Sequence, residues 1–240
     1  MSRPAVARRI GHRLPSHAGP LRSLWHDNGL SIVLTSLFVL TMTGQIVTGW
    51  LAYNDDQRAH DEQEVALVAY LGTGHFGEAT FENFESEFLQ MAFYVVLTAF
   101  LYQRGSSESK RPDVIELVDL DPRDSPQKES APWPVRRGGF ALVLYENSLS
   151  LTFAAFFLIS FAMHAWTGAR EYSAEQLAHS QPSVTVREYM ATSQFWFESF
   201  QNWQSEFLSL AAMVTLTIFL RQRGSPESKP VDAATWDTGG

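Results

Sequence analysis

The chain has 240 residues, a formal net charge of −8 at pH 7 and no cysteine. Without cysteine, disulfide bonds, thiolate metal sites and cysteine nucleophiles are excluded. An acidic chain without a dense basic stripe is not expected to bind nucleic acid. The mean hydropathy is −0.12, but apolar residues are concentrated in four blocks that carry almost no charge, which is typical of a membrane protein.

The amino-terminal segment, residues 1–23, is basic and precedes the first apolar block. The run from Leu30 to Tyr53 holds 24 residues without a charged side chain. As a helix it would be about 36 Å long, which exceeds a hydrocarbon core of about 30 Å. It is too long for a signal-peptide core and no clear cleavage site follows it. We therefore predict an uncleaved membrane helix over about 30–52.

The second predicted span, about 84–103, follows an acidic outer loop over 54–83. Its strongly apolar part is short, so it reaches spanning length only if the helix begins near Asn83. The third apolar block is long enough to span a membrane by itself. The fourth, like the second, is short and follows an outer loop. The second pair of predicted spans is about 148–169 and 203–221, with the loop 171–202 between them.

The sequence is internally duplicated. Residues 28–110 align without a gap on 147–229, with 33 identities in 83 positions. Polar loop positions match as well as apolar ones, which indicates duplication rather than shared hydrophobicity. Each copy holds two spans, so both copies enter the membrane in the same direction as parallel repeats. The predicted domains are the basic segment 1–23, repeat 1 over 24–105, a disordered linker over 106–140, repeat 2 over 141–224 and a tail over 225–240.

The distribution of basic residues predicts the orientation. Residues 1–29, 102–148 and 221–240 carry 5, 7 and 3 of the 18 Lys and Arg residues. The positive-inside rule therefore places both termini and the linker in the cytoplasm. The predicted fold class is all-α, with four transmembrane helices arranged as two parallel tandem repeats of a helical hairpin. The predicted location is the inner (cytoplasmic) cell membrane, with the lipid bilayer as partner.

A stripe of polar residues begins the second helix of each repeat. Because ionisable groups in membrane helices are costly, they usually face a cavity, a partner or a pathway. Glu87 and Glu206 are therefore a candidate paired site. The alternative is that both lie among lipid headgroups, where negative charge favours the helix N-terminal end. The stripe, at helical spacing, consists of Asn83, Ser86 and Glu87 in the first copy and Asn202, Ser205 and Glu206 in the second.

Two further polar features have two interpretations each. Gln45 and His164 occupy equivalent positions in the first and third spans, and are expected either to hydrogen-bond between helices, at about 0.6 kcal/mol each, or to relay protons. His60 and His179 lie near acidic residues in the outer loops, either as solvated side chains or as metal ligands. Since no histidine pair has ligand spacing within one helix, we predict solvated histidines and no metal site.

Two motifs occur in both copies. Asn-x-x-Ser-Glu-Phe-Leu begins at Asn83 and at Asn202, and Gln-Arg-Gly-Ser-x-Glu-Ser-Lys begins at Gln103 and at Gln222. By these motifs both repeats resemble a family of bacterial membrane proteins described only as a domain of unknown function. The resemblance implies a bacterial membrane location. It supplies no activity for any residue.

Three functional hypotheses follow. The first is a permeation component for ions, protons or small solutes, with Glu87 and Glu206 as its polar site. Four helices leave little room for a pathway, so this hypothesis expects a homo-oligomer. The alternative is a non-catalytic protein that organises the membrane or binds a cytoplasmic partner through the segments that begin at Gln103 and Gln222. A membrane enzyme using outer-loop residues is the third, although no nucleotide-binding loop or catalytic triad is present and no cofactor is predicted.

Overall fold

The computed structural model describes residues 20–111, 114–124 and 130–239, with side chains from residue 24 onward. Most of the predicted basic segment 1–23 therefore lies outside the described residues. Those residues form eight α-helices and one short 3-10 helix, and contain no strand. The chain divides into two units, one ending at Glu64 and one beginning at Val65, and each is described by itself.

The first unit contains a single long helix, α1, over Pro20–Ala59. It extends beyond the predicted span 30–52 at both ends. Hydroxyl side chains along it donate to carbonyl groups one turn earlier, as Ser36 Oγ does to Ile32 O at 2.7 Å. Such bonds satisfy polar groups inside an apolar helix. From Leu24 onward, α1 is long and apolar enough to cross a membrane.

The second unit holds the remaining helices. The helix α6 is the second one in the described chain that is long and apolar enough to cross a membrane. It continues nine residues beyond the predicted end at 169. The elements in order are α2 (Leu67–Tyr70), α3 (Gly74–Phe100), the 3-10 helix (Leu117–Asp119), α4 (Trp133–Arg137), α5 (Gly139–Glu146), α6 (Ser148–Ala178), α7 (Val186–Tyr189) and α8 (Ser193–Phe219).

The helices α3 and α8 both begin about ten residues before the predicted spans 84–103 and 203–221. Each start is capped by a threonine side chain. Thr73 Oγ1 accepts from the amide of Phe76 at 3.2 Å, and Thr192 Oγ1 accepts from the amide of Phe195 at 3.3 Å. Hydroxyl caps of this kind satisfy amides that the helix leaves without partners. The polar residues before each apolar run therefore belong to the helices.

Small residues bring α3 close to α6. A Cβ atom on Gly77 would lie 2.4 Å from Thr167 Cγ2, and one on Gly74 would lie 2.6 Å from the amide nitrogen of Glu171. Neither position has room for a side chain, so the two helix backbones can approach closely. On another face of α3, the amide of Gln90 donates to Glu206 O of α8 at 2.9 Å. The three helices α3, α6 and α8 therefore frame one interior.

The predicted disordered linker over 106–140 is partly folded. It contains the 3-10 helix and α4. Within it, Arg123 makes an ion pair with Glu146, the last residue of α5, with Nη1 2.8 Å from Oε1. Residues 112–113 and 125–129 lie outside the described residues.

The tail, predicted over 225–240, is also folded over its described residues. Lys229 is 1% exposed, and its Nζ donates to Thr235 O at 3.0 Å and Asp237 O at 2.8 Å. Gly239 N donates to Ser106 O at 3.0 Å, so the tail contacts the segment that follows α3. Both copies of the Gln-Arg-Gly-Ser-x-Glu-Ser-Lys motif therefore take part in contacts within the chain. Binding of a cytoplasmic partner there stays a prediction.

Candidate buried acid–histidine site

His164 of α6 lies at the centre of a buried polar cluster. Its side chain is fully buried, and its two ring nitrogens face carboxylates from two other helices. Nδ1 is 2.8 Å from Glu85 Oε2 of α3, and Nε2 is 3.4 Å from Glu198 Oε2 of α8. The ring of Phe195 stacks on the imidazole with the centroids 4.9 Å apart. The imidazole is therefore held on its edges by charge and on one face by an aromatic ring.

Glu85 orients the imidazole. Its side chain is fully buried, and while Oε2 faces His164, Oε1 accepts a hydrogen bond from Trp203 Nε1 at 2.8 Å. Both carboxylate oxygens thus have a partner. The chain Trp203–Glu85–His164 fixes which nitrogen of the ring faces Glu85 and leaves the other directed to Glu198.

Tyr189 joins two further carboxylates. Its hydroxyl oxygen is 2.8 Å from Glu78 Oε1 and 2.5 Å from Glu198 Oε2. A phenol has one proton to donate, so it cannot serve both ionised carboxylates as donor. Either one carboxyl group holds a proton of its own or a cation lies between the two.

The pKa shifts indicate where such a proton resides. Burial, followed by the charge of Glu198, raises the pKa of Glu78 to about 7. Burial acts in the same direction on Glu198, but hydrogen bonds, led by that from His164, outweigh it and lower the pKa of Glu198. Burial also raises the pKa of the Tyr189 hydroxyl, which therefore stays protonated. Of the two carboxyl groups, Glu78 is therefore the one that takes up a proton more readily. All three residues precede the segments predicted to span the membrane.

A glycine makes room for this arrangement. A Cβ atom on Gly168 of α6 would lie 2.6 Å from Tyr189 Oη and 2.8 Å from Glu78 Oε1. A side chain there would displace the tyrosine or the carboxylate. The backbone of α6 thus forms one wall of the cluster.

Negative charge exceeds positive charge in the cluster. Glu78, Glu85 and Glu198 are three carboxylates, and within the described part of the chain their ion pairs all involve His164. Burying charged groups without compensation is expensive, so buried carboxylates are normally paired, protonated or bound to a metal. The cluster is therefore chemically suited to hold a cation.

Three of these residues have the arrangement of a metal site. Glu78, His164 and Glu198 each offer one ligand atom, and these atoms all lie within 4.8 Å of one another. One imidazole and two carboxylates are a donor set used by divalent transition ions. From the sequence we predict no metal site, and neither Glu78 nor Glu198 is among the predicted site residues.

The predicted stripe has another role. Its asparagine and serine side chains bond to carbonyl groups of their own helices, as Asn83 Nδ2 does to Ala79 O at 2.7 Å and Ser205 Oγ does to Asn202 O at 2.8 Å. Ser86 is buried and makes the same kind of bond, and Asn202 Nδ2 donates to Glu198 O at 3.1 Å. These contacts satisfy polar groups locally. Asn202 also forms a side-chain hydrogen bond with Glu82 of α3, so one residue of the stripe contacts the facing helix.

In the predicted pair, the charge of Glu87 acts on the carboxyl group of Glu206. Glu87 is exposed, however, and Glu206 is half-buried, so the pair lies at the surface of the second unit. Of the eight predicted site residues, His164 is the one that belongs to the buried cluster. Gln45 is half-buried in the first unit, which is described separately.

The carboxylates and the histidine of the cluster differ between the two copies of the duplicated sequence, although Tyr189 matches Tyr70. At the position equivalent to Glu85 the second copy has Gln204, and at that equivalent to Glu198 the first copy has Ala79. A comparison limited to residues shared by both copies therefore includes neither Glu85 nor Glu198. One signal was present: Glu78, Glu82 and Glu85 follow the spacing i, i+4, i+7, which places three carboxylates on one face of a helix.

Comparison with known proteins identifies the family. A family model described as a domain of unknown function (DUF6766) matches residues 21–240, so the chain belongs to this family. No curated protein and no solved structure is significantly similar to the chain. The family assignment agrees with the resemblance seen in the motifs and assigns no activity.

Proposed function

We propose that this protein is a multi-pass membrane protein that binds and passes a small cation through the buried cluster of Glu78, Glu85, His164, Tyr189 and Glu198. The observation that carries the proposal is a fully buried imidazole surrounded by three carboxylates, one fully buried (Glu85) and two half-buried (Glu78 and Glu198). A protein of this size does not gain stability from such an arrangement, because desolvating the charges costs several kcal/mol per ion. Ionisable groups buried among membrane helices usually mark an ion or proton pathway.

The proposed membrane arrangement has four spans in two parallel hairpins, with both termini in the cytoplasm of a bacterial cell. The helices α1 and α6 supply the two apolar spans. The helices α3 and α8 have 27 residues each, or about 40 Å at 1.5 Å per residue. Their apolar halves carry exposed large side chains such as Phe93, Val96 and Leu216, which suit contact with lipid.

This arrangement locates the cluster near the outer surface. Glu78 and Glu85 lie in the first half of α3, Glu198 lies near the start of α8, and His164 lies in the second half of α6. Under the proposed orientation these positions lie in the outer halves of α3 and α8 and just past the middle of α6. A cation entering from outside would meet the cluster first. A path onward past the apolar halves is expected to need a second copy of the chain, as a homo-oligomer.

Reconstitution tests the proposal. Liposomes containing the full chain would carry a pH-reporting dye in one preparation and a divalent-ion dye in another, each facing an inward gradient. We expect protein-dependent entry of at least one cation, and we expect His164→Gln, which introduces the residue found at the equivalent position 45, to abolish it. Rates equal to those of empty liposomes for both dyes would refute the proposal, as would normal rates in the variant.

A further inference from the structure

We propose that Glu78, His164 and Glu198 form a binding site for one divalent first-row transition-metal ion of the Zn²⁺, Mn²⁺ or Fe²⁺ class. The inference takes its physiological purpose from the proposed cation role, but its chemistry is independent of transport. It rests on the geometry of the three donors, on how they are oriented and on the charge around them. Each of these can be read from the described residues.

The donor spacing fits an ion. Around a tetrahedral ion with bonds of about 2.05 Å, neighbouring ligand atoms lie about 3.3 Å apart. His164 Nε2 and Glu198 Oε2 are 3.4 Å apart, which is long for a hydrogen bond but close to that ligand spacing. The carboxylate of Glu78 lies within 4.8 Å of both donors. A shift of about an ångström in one flexible side chain would complete three protein ligands and leave a coordination position open.

The residues behind the donors are those expected of a metal site. Metal-binding histidines generally give their second ring N–H to a carboxylate, which fixes the ring and makes the ligating nitrogen more basic. His164 Nδ1 faces Glu85 Oε2 at 2.8 Å, and Glu85 is in turn fixed by Trp203. Gln194 Nε2 donates to the other oxygen of Glu198 at 2.5 Å, so this second donor is oriented too.

Burial and charge also favour a bound ion. His164 is 0% exposed, and the side chain of Glu198 is 15% exposed. A divalent ion would offset the excess of negative charge that His164 alone does not balance.

The donor types select the metal class. Mg²⁺ and Ca²⁺ prefer sets made entirely of oxygen atoms, and Ca²⁺ takes six to eight of them. An imidazole nitrogen with two carboxylates suits Zn²⁺, Mn²⁺ and Fe²⁺ better. The chain has no cysteine, so the soft thiolate set that favours Cu⁺ is absent from it. We therefore expect Zn²⁺ to bind and Mg²⁺ not to compete.

The test is metal binding by the detergent-solubilised full chain after treatment with a chelator. Equilibrium dialysis against Zn²⁺, and separately Mn²⁺, should give one ion per chain. Glu198→Gln and Glu78→Gln should each weaken binding by more than 100-fold. Glu85→Gln, which removes the orienting carboxylate but no ligand, should weaken it by about 10–100-fold. The matched control is His60→Ala with His179→Ala, two exposed histidines, which should leave the stoichiometry unchanged.

Two results would overturn the inference. One is the absence of stoichiometric Zn²⁺ or Mn²⁺ binding by the unmodified chain. The other is binding that persists unchanged in Glu198→Gln and Glu78→Gln. If those variants do not fold, the unmodified chain still decides: Zn²⁺ should raise its melting temperature in the presence of excess Mg²⁺, and no rise would refute the site. Dialysis and flux separate the two proposals, because a chain that conducts protons but binds no metal would sink this inference alone.

Discussion

The helices α3 and α8 occupy equivalent places in the duplicated sequence and bring different chemistry to the same interior. Both begin after a threonine cap, Thr73 or Thr192, and both run for 27 residues. Yet α3 contributes Glu78 and Glu85 to the cluster, where α8 has Phe197 and Gln204 at the equivalent positions. In the other direction, α8 contributes Glu198 where α3 has Ala79.

The comparison separates two kinds of position. Asn83 and Asn202, which both copies retain, each donate to a carbonyl group of their own helix. Residues that differ between the copies meet at His164. A duplicated helix needs the same internal bonds twice, whereas a single site needs complementary groups from its two sides. The carboxylates and the imidazole of the site therefore occupy differing positions, whereas Tyr189 and Phe195, which also line it, match Tyr70 and Phe76 of the first copy.

The largest expected effect is at the centre of the cluster. His164→Leu leaves Glu85 and Glu198 buried without their ion-pair partner, and such losses cost about 3–5 kcal/mol. We expect that decrease in the free energy of unfolding, measured by chemical denaturation in detergent. The equivalent change in the other copy, Gln45→Leu, should cost no more than the roughly 0.6 kcal/mol typical of one contact between membrane helices. Equal losses of unfolding free energy in His164→Leu and Gln45→Leu would contradict the proposed difference between the two copies.

The second comparison concerns two equivalent lysines, Lys110 and Lys229. Lys229 is 1% exposed and donates to three carbonyl oxygens, whereas Lys110 makes an ion pair with Asp119 at the surface. Hydrogen bonds to charged groups contribute about 1.5–3 kcal/mol, so Lys229→Met should lower the free energy of unfolding by about that amount. Lys110→Met should cause no resolvable loss. A greater loss for Lys110→Met would show that the tail is not ordered as described.

The third test concerns the wall of the cluster. Gly168→Ala introduces a methyl group 2.6 Å from Tyr189 Oη, and overpacking of this kind costs about 1–3 kcal/mol. The control is Gly44→Ala in α1, where nothing lies within 4 Å of the new Cβ and where alanine is preferred over glycine by about 1 kcal/mol. Thermal unfolding should move in opposite directions for the two variants. A stabilising Gly168→Ala would mean that Tyr189 does not pack against α6.

The smallest effect is expected at the shared carboxylates. Glu87→Gln combined with Glu206→Gln removes two like charges from the surface of the second unit, so the free energy of unfolding should change by no more than about 0.5 kcal/mol. Relief of the interaction between the two charges favours a slight increase. A loss of several kcal/mol would show that these carboxylates are paired with groups that the second unit does not contain.

The helical class and much of the helix order could be predicted from the sequence. Long uncharged runs, and the threonine or glycine residues at which helices begin or end, are local signals. The predicted helix lengths differ from the structure. The polar first residues of α3 and α8 are predicted as loop, although Thr73 and Thr192 cap helices there. The prediction failed more seriously on the site. Glu85 and Glu198 are far apart in sequence, and their meeting depends on close packing of α3 and α6 at Gly74 and Gly77, which hydropathy does not encode.

The central claim is that the ionisable residues at differing positions, Glu78, Glu85, His164 and Glu198, form the working site and that the shared carboxylates Glu87 and Glu206 do not. Cation entry into liposomes, measured side by side for two double variants, tests it most directly. Glu85→Gln with Glu198→Ala gives each position the residue of the other copy, and we predict that it abolishes protein-dependent entry. Glu87→Gln with Glu206→Gln should leave the rate unchanged. Loss of entry in the second variant with normal entry in the first would contradict the account.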